Sequence, residues 1–283
     1  MSHGRGELEL LEWIKPELAK DATGDDAAAI PDGDGFLVVS CDMFVEGKHF
    51  LQRTDGVLTG WRALALAVND LAAKGAQPRW ALTAIAIPKR PAVDREYLGR
   101  VYRGMGELAR KLGIEIVGGD LSSIDGPWVL SITVAGHTRT APIPRSAAKP
   151  GWAIGVTGAL GGAAVALRED KPLRLVPLIE EGRRLNELGL SCGDVSDGLV
   201  REMEKFAAMS GAGSVLYADK VPRAPGASPE DALTSGEEAE LVCVGPPRLV
   251  ESAGLHVVGE MTEGRAVTVV GATLRSTGYD HFA

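Results

Sequence analysis

Two apolar stripes at helical spacing, each cut off by glycine and each running into a short apolar stretch, set what this chain can fold into. The first covers Leu58 to Lys74, where Leu64, Ala67, Val68, Leu71 and Ala72 share a face and Gly75 followed by Pro78 stops the helix. The second covers Asp94 to Leu112, with Leu98, Val101, Met105, Leu108 and Leu112 in line and Gly113 as its end. Trp80 to Ile87 and Ile114 to Val117 read as the strands that follow them, and Trp128 to Ala135 alternates as another. Stripes of this kind need a sheet to bury against. The chain is therefore expected to be α+β or α/β, with no repeat of fixed period.

A further helix is expected over Gly6 to Lys20, a polar loop over Asp21 to Asp26, and a buried strand over Phe36 to Ser40 running into Asp42. Ala141 to Gly151 is rich in proline and small residues and marks a boundary, giving domains 1–140 and 141–283. Beyond it, strands are expected at Ala153 to Val156, Ser214 to Tyr217, Glu240 to Val244, His256 to Val258 and Ala266 to Val270. Helices are expected at Gly161 to Arg168, Arg174 to Leu188 and Gly198 to Met209.

The chemistry lies in where the aspartates fall. Asp26 follows Gly24-Asp25, Asp42 follows a strand, Asp120 follows Gly118-Gly119, and Asp194 and Asp197 flank a turn before a helix. Short carboxylates around one cleft make an oxygen cage for hard cations, and magnesium takes one or two carboxylates together with substrate phosphates. Each aspartate taken alone also fits a turn or a helix cap. Asp70 stands apart because it lies in an Ala/Leu stripe, where a buried carboxylate needs a partner. Lys74, one turn later, is in register to pair with it at the surface.

Charge and missing motifs narrow the class. A net charge of −8 argues against a nucleic-acid partner. There is no G-x-x-x-x-G-K-[ST] loop, no protein-kinase loop set and no G-x-S-x-G elbow. The Gly-rich run Thr157 to Gly162 reads as a packing turn, and His49 alone reads as structural. Apolar runs stop short of a membrane span, and no signal segment follows the polar start. Cys41, Cys192 and Cys243 are far apart and suggest neither a disulfide framework nor a zinc site, so a cytoplasmic protein is expected.

Taken in order, these blocks resemble the thiamine-monophosphate kinases: Gly24 to Ala28, Ser40 to Phe50, Ala67 to Ala76, Gly118 to Asp120, Arg145 to Gly151, Asp194 to Leu199, Ser235 to Leu241 and Gly278 to Phe282. Several blocks are general to the wider superfamily that includes aminoimidazole ribotide synthetase. His49-Phe50 and the closing GYDHF are more specific. The resemblance implies a two-domain subunit whose N-terminal sheets pair into a barrel across a homodimer, and a C-terminal α/β domain that completes the site. It implies direct transfer of the γ-phosphoryl of ATP to thiamine monophosphate with several Mg²⁺ ions.

Residue by residue, the resemblance implies that Asp26, Asp42, Asp70, Asp120, Asp194 and Asp197 hold metal, with Ser40 and Cys41 beside them. Asp42, Asp70, Asp120 and Asp194 form the catalytic set. Tyr102, Gly119, Asp120, Arg145 and Ser196 contact ATP; His49, Glu237 and the Ser276 region face thiamine monophosphate. The chain departs from the family at Cys41, where a threonine is common, at Glu238-Ala239, and at Ser276-Thr277, where an aromatic often stacks on thiamine. Alternatives are an aminoimidazole ribotide synthetase-like enzyme and a metal- and nucleotide-binding protein without catalysis.

Overall fold

The computed structural model describes residues 6–19, 24–90 and 93–282. The N-terminal half contains α1 (Glu7–Ile14), β1 (Ala28–Asp32), β2 (Gly35–Val45), α2 (Gly56–Ala73), β3 (Gln77–Pro88), α3 (Arg95–Leu112), β4 (Glu115–Ile124) and β5 (Val129–Thr138). The remainder contains β6 (Ala153–Val156), α4 (Gly162–Arg168), α5 (Ile179–Glu187), β7 (Ser191–Asp194), α6 (Leu199–Ser210) and β8 (Gly213–Tyr217). It closes with α7 (Pro229–Thr234), β9 (Leu241–Gly245), α8 (Pro247–Ser252), β10 (His256–Thr262) and β11 (Val267–Val270).

The first five strands form one sheet in the order β1-β2-β5-β3-β4. The stripes of α2 and α3 pack on one of its faces, where Val38, Phe44, Ile85, Leu130 and Ile132 meet Leu64, Val68, Val101 and Met105. The opposite face carries Ile30, Met43, Trp80 and Leu82, each at least 42% exposed. Apolar side chains at alternate positions of a sheet left in water are unusual for a finished surface.

The other six strands run β11-β8-β10-β6-β9-β7. Both faces of this sheet are covered, so β6 and β9 are buried at every position. Met203 and Phe206 of α6 pack on one side, and Leu185 of α5 with Val250 of α8 on the other.

The two sheets meet along α2. Gly182 of α5 lies so close to the Ala72 carbonyl that a Cβ at that position would collide with the backbone. α2 therefore belongs to both halves: it roofs the first sheet and forms a wall for α5 and β7.

Several expectations need correction. β2 and β4 are longer than expected, so Asp42 and Asp120 lie inside strands and not after them. The helix expected over Arg174 to Leu188 begins at Ile179, and residues 171–178 are irregular. The first helix ends at Ile14 in a short 3-10 turn, and the expected loop over residues 21–26 lies partly outside the described residues. Cys192 and Cys243 stand directly opposite each other in the β7–β9 ladder and form a disulfide. Their separation of 51 residues hid this, because distance along the chain does not report cross-strand neighbours.

Candidate active site

α2 fixes the centre of the site by presenting Asp70 to the middle of β2. Ser40 of β2 donates from Oγ to Asp70 Oδ2 at 2.5 Å, and Asp42, two residues on, projects to the same face. From the other half, β7 ends at Asp194, which accepts from Asn69 Nδ2 at 3.3 Å and whose backbone N–H meets Asp26 Oδ1 at 3.4 Å. Four aspartates from a loop, a strand, a helix and a second sheet thus converge.

Their electrostatics divide them into two groups. Burial pushes Asp42 up to about 6, helped by the charge of Asp26. Asp70 and Asp194 are raised well above the usual carboxylate range, first by burial and then by neighbouring acids. None of these three has an ion pair with lysine or arginine among the described residues. Asp26 is different. Burial opposes its charge, yet Arg145 and Lys74 overcome that and hold its carboxyl well below the usual range.

The cations that do this are themselves buried. Arg145 pairs with Asp26, reaches Glu202 Oε2 at 2.6 Å and donates to the Gly24 carbonyl at 2.9 Å. Lys205 spans Asp197 at 2.8 Å and Glu202 at 2.6 Å. Lys74 does not pair with Asp70 at the surface, as its spacing suggested. Its ammonium is turned inward to Asp25, Asp26 and the Cys192 carbonyl.

Asp42, Asp70 and Asp194 offer hard oxygen donors with excess negative charge, and Asn69 Oδ1 is buried beside them without a partner among the described residues. Asp26, Asp194 and Glu202 also place an oxygen each within 4.8 Å of one another. This is the donor chemistry a divalent cation takes.

A second corner lies on the first sheet. Tyr102 of α3 shares a hydrogen bond of 2.9 Å with Thr83, and Gly119 stands opposite Thr83 on β4, so close that only glycine fits. Asp120, one residue on, lies on the uncovered face of the sheet. β5 and β3 stand between its strand and that of Asp42, a separation of about 14 Å at ordinary strand spacing. One chain therefore does not bring Asp120 to the other aspartates. Cys41 likewise sits on the uncovered face, its Sγ at 3.3 Å from Thr133 Oγ1.

A third corner gathers aromatic and charged groups. Glu237, at φ +58°, pairs with buried Arg62 of α2, and its backbone N–H donates to the Ser196 carbonyl at 2.7 Å. The His49 ring lies 5.1 Å from Phe44 and 5.2 Å from His281, and Tyr279 stands edge-on to His281 at 4.8 Å. Burial and the nearby His281 lower His49 to about 4. His49 Nδ1 accepts from Val45 N–H at 2.9 Å, leaving the ring proton on Nε2. Ser196 Oγ lies 3.4 Å from Glu202, whereas Ser276 is exposed.

The Thr157 to Gly162 turn is a packing turn, as expected: Glu238 accepts from the N–H groups of Gly161 and Ala163 at 2.9 and 3.0 Å. The sequence reading gave no role to Arg62, Asn69, Glu202, Lys205, Tyr279 and His281, although the closing Gly278 to Phe282 block contains the last two. For Arg62 and Asn69 a signal existed, since both are polar residues within the apolar run of α2.

Comparison with known proteins gives a consistent picture. Residues 24–138 match the family described as AIR synthase related protein, N-terminal domain. The thiamine-monophosphate kinase of Rhodopirellula baltica is 34% identical over 277 residues, covering 90% of this chain and 84% of the relative. That of Escherichia coli K12 is 31% identical, covering 92% and 91% respectively. The solved structure of AaThiL complexed with AMPPCP and TMP superposes with a TM-score of 0.87 at 27% identity, covering 98% of this chain and 97% of that one.

Proposed function

The chain belongs to the thiamine-monophosphate kinase family, and on that footing we infer that it transfers the γ-phosphoryl group of ATP to thiamine monophosphate, giving thiamine diphosphate. The observation that carries this reading is the group of carboxylates without lysine or arginine ion pairs among the described residues, half-buried Asp42 with buried Asp70 and Asp194, beside the aromatic and charged corner of His49, Arg62, Glu237 and His281. The two are adjacent through Ser196-Asp197: Glu237 bonds the Ser196 carbonyl, and the Asp197 charge acts on Asp42, His49 and Glu237 alike.

We assign Asp42, Asp70 and Asp194 as the residues that hold Mg²⁺, with Asp26 and Asp197 at the edge of the cluster. Bound there, magnesium ions neutralise phosphate oxygens that would otherwise repel each other. The chain's own groups position the reactants. Phosphoryl transfer needs alignment and charge stabilisation, and the acceptor phosphate oxygen can attack directly, so no protein nucleophile is required. Arg145 supplies a fixed positive charge beside the cluster, and Tyr102 and Gly119 form the nucleotide corner. Neutral His49 is a hydrogen-bond donor through Nε2, and Arg62 holds Glu237 in place. Tyr279 and His281 give an aromatic surface close to where the family's stacking residue is missing at Ser276.

We further propose a homodimer formed through the uncovered face of the first sheet. The apolar residues Met43, Trp80 and Leu82 favour it, and Asp120 on that face would then serve the site of the second copy. Residues 1–140 and 141–283 act as the two domains, consistent with a first sheet that ends at Thr138 and a second that begins at Ala153. The cytoplasm, where ATP is abundant, is the proposed compartment on the strength of the ATP-dependent reading alone, since Cys192 and Cys243 are cross-linked.

The direct test is incubation with ATP, Mg²⁺ and thiamine monophosphate, with the two thiamine phosphates resolved by chromatography beside EDTA and acceptor-free controls. Thiamine diphosphate matched by ADP is expected. ATP binding without diphosphate would remove the acceptor assignment.

A further inference from the structure

An ammonium group has three N–H donors, and those of Lys74 face three oxygens. They belong to Asp25, to Asp26 at 2.9 Å and to the Cys192 carbonyl at 2.7 Å. The Lys74 side chain is only 1% exposed. Two carboxylates and a backbone carbonyl are also a donor set that a hard divalent cation accepts. Here the position is filled from within the chain.

We propose that Lys74 is a resident cation, occupying a place at Asp25, Asp26 and the Cys192 carbonyl that a metal ion would otherwise take. The proposal rests on the metal-assisted reading above, but concerns how many ions the chain binds and not which acceptor it uses.

Three observations support it. Lys74 caps the C-terminal end of α2, where the helix carbonyls favour positive charge. Asp26 meets Lys74 on one oxygen and Arg145 on the other, so the protein's own cations flank both sides of its carboxylate. Among the described residues Asp42, Asp70 and Asp194 form no ion pair with lysine or arginine, which confines the need for divalent ions to their side of the cluster. The lysine also joins α2 to β7 through the Cys192 carbonyl, two residues before Asp194. Lys74 is thus a positioning residue and does not touch the reacting phosphates.

Binding of Mn²⁺ alone, followed by the electron paramagnetic resonance of the free ion, tests this without any turnover. Wild type and Lys74→Arg are expected to bind the same number of ions, and Lys74→Met one more per chain. Mn²⁺ should raise the Lys74→Met melting temperature more than it raises that of wild type. An unchanged ion count in a folded Lys74→Met would overturn the proposal and leave Lys74 as a structural tie only. Asp25→Asn decides the matter if Lys74→Met does not fold. The wild-type ion count should survive that substitution, and loss of one ion would mean that a metal, not Lys74, is served there. Activity on thiamine monophosphate, assayed separately, judges the acceptor alone.

Discussion

Asn69 of α2 donates from Nδ2 to Asp194 Oδ2 of β7 at 3.3 Å, joining the layers of the two sheets one residue from Asp70. The amide satisfies one oxygen of Asp194 but contributes no charge, so Asp70 and Asp194 keep their mutual repulsion.

That repulsion makes the aspartates separable from the fold. In Asp70→Asn the hydroxyl of Ser40 still has an acceptor, and a buried charge is gone. Turnover is expected to fall by about 10³-fold, the scale for losing one group that stabilises charge at the reacting centre. The metal-free melting temperature should rise by about 2–4 °C, corresponding to roughly 1 kcal/mol in a chain of this size. Calorimetry beside a steady-state assay checks both. A colder melting point with full turnover would contradict the cluster.

Asp42 gives a pH dependence with a definite sign. Its folded value of about 6 lies above the ordinary 3.8, so the metal-free native state keeps a proton that the unfolded chain releases. Stability of the metal-free protein should therefore decline as pH rises through that window. Apparent Mg²⁺ affinity should climb over the same range, because the ion displaces the proton. Urea denaturation and metal titration at several pH values measure the two trends. Asp42→Asn should flatten both and abolish turnover.

His49 behaves in the opposite way. Its folded value of about 4 lies below the ordinary 6.5, so stability present above 6.5 is lost as pH falls toward 4. A proton NMR titration should show its ring shifting near 4, with the Nε2–H tautomer above that. An inflection above 6 would refute a neutral His49. His49→Asn should lose acid stability less steeply and raise KM for thiamine monophosphate.

Glu237 and Arg62 form a pair whose members differ in what they risk. Removing the carboxylate in Glu237→Ala leaves a guanidinium buried in α2, and a stability loss of about 1–3 kcal/mol is expected. The double variant Glu237→Ala/Arg62→Met should recover most of it while remaining impaired with the acceptor. Denaturation curves for the four proteins of the cycle show whether the losses add. Simple additivity would mean the pair is not coupled.

The dimer can be tested without touching the site. Leu82→Glu places a charge in the middle of the uncovered sheet face and should yield a monomer by sedimentation. If Asp120 serves the second copy, activity should fall with dissociation. A Leu82→Glu dimer, or an active monomer, would remove that arrangement.

Much of the frame was legible because α2 and α3 carry unbroken stripes, and Ala153–Val156 is bounded by turn residues. The short elements were not. β1 reads AAIPD, with proline and almost no β-branching, and is held by its pairing with β2. The aspartates of the cluster were visible as a pattern, but their counterions were not. Lys74 has Asp70 four residues away, and only the tertiary fold turns it toward Asp25 and Asp26. The place of Asp120 was hidden for a similar reason: a strand carried on past its glycines, so parity set its face.

The contact of Gly182 with the Ala72 carbonyl bears on access. At that point no side chain stands between the layers, which sit at backbone distance there while Ala73, Leu185 and Leu190 pack beside the contact. The chain end over His49 is fastened more lightly, by Tyr279 N–H on the Asp197 carbonyl and by Asp280 on Arg201. The acceptor corner thus lies under a strap, whereas the waist is held by close backbone packing.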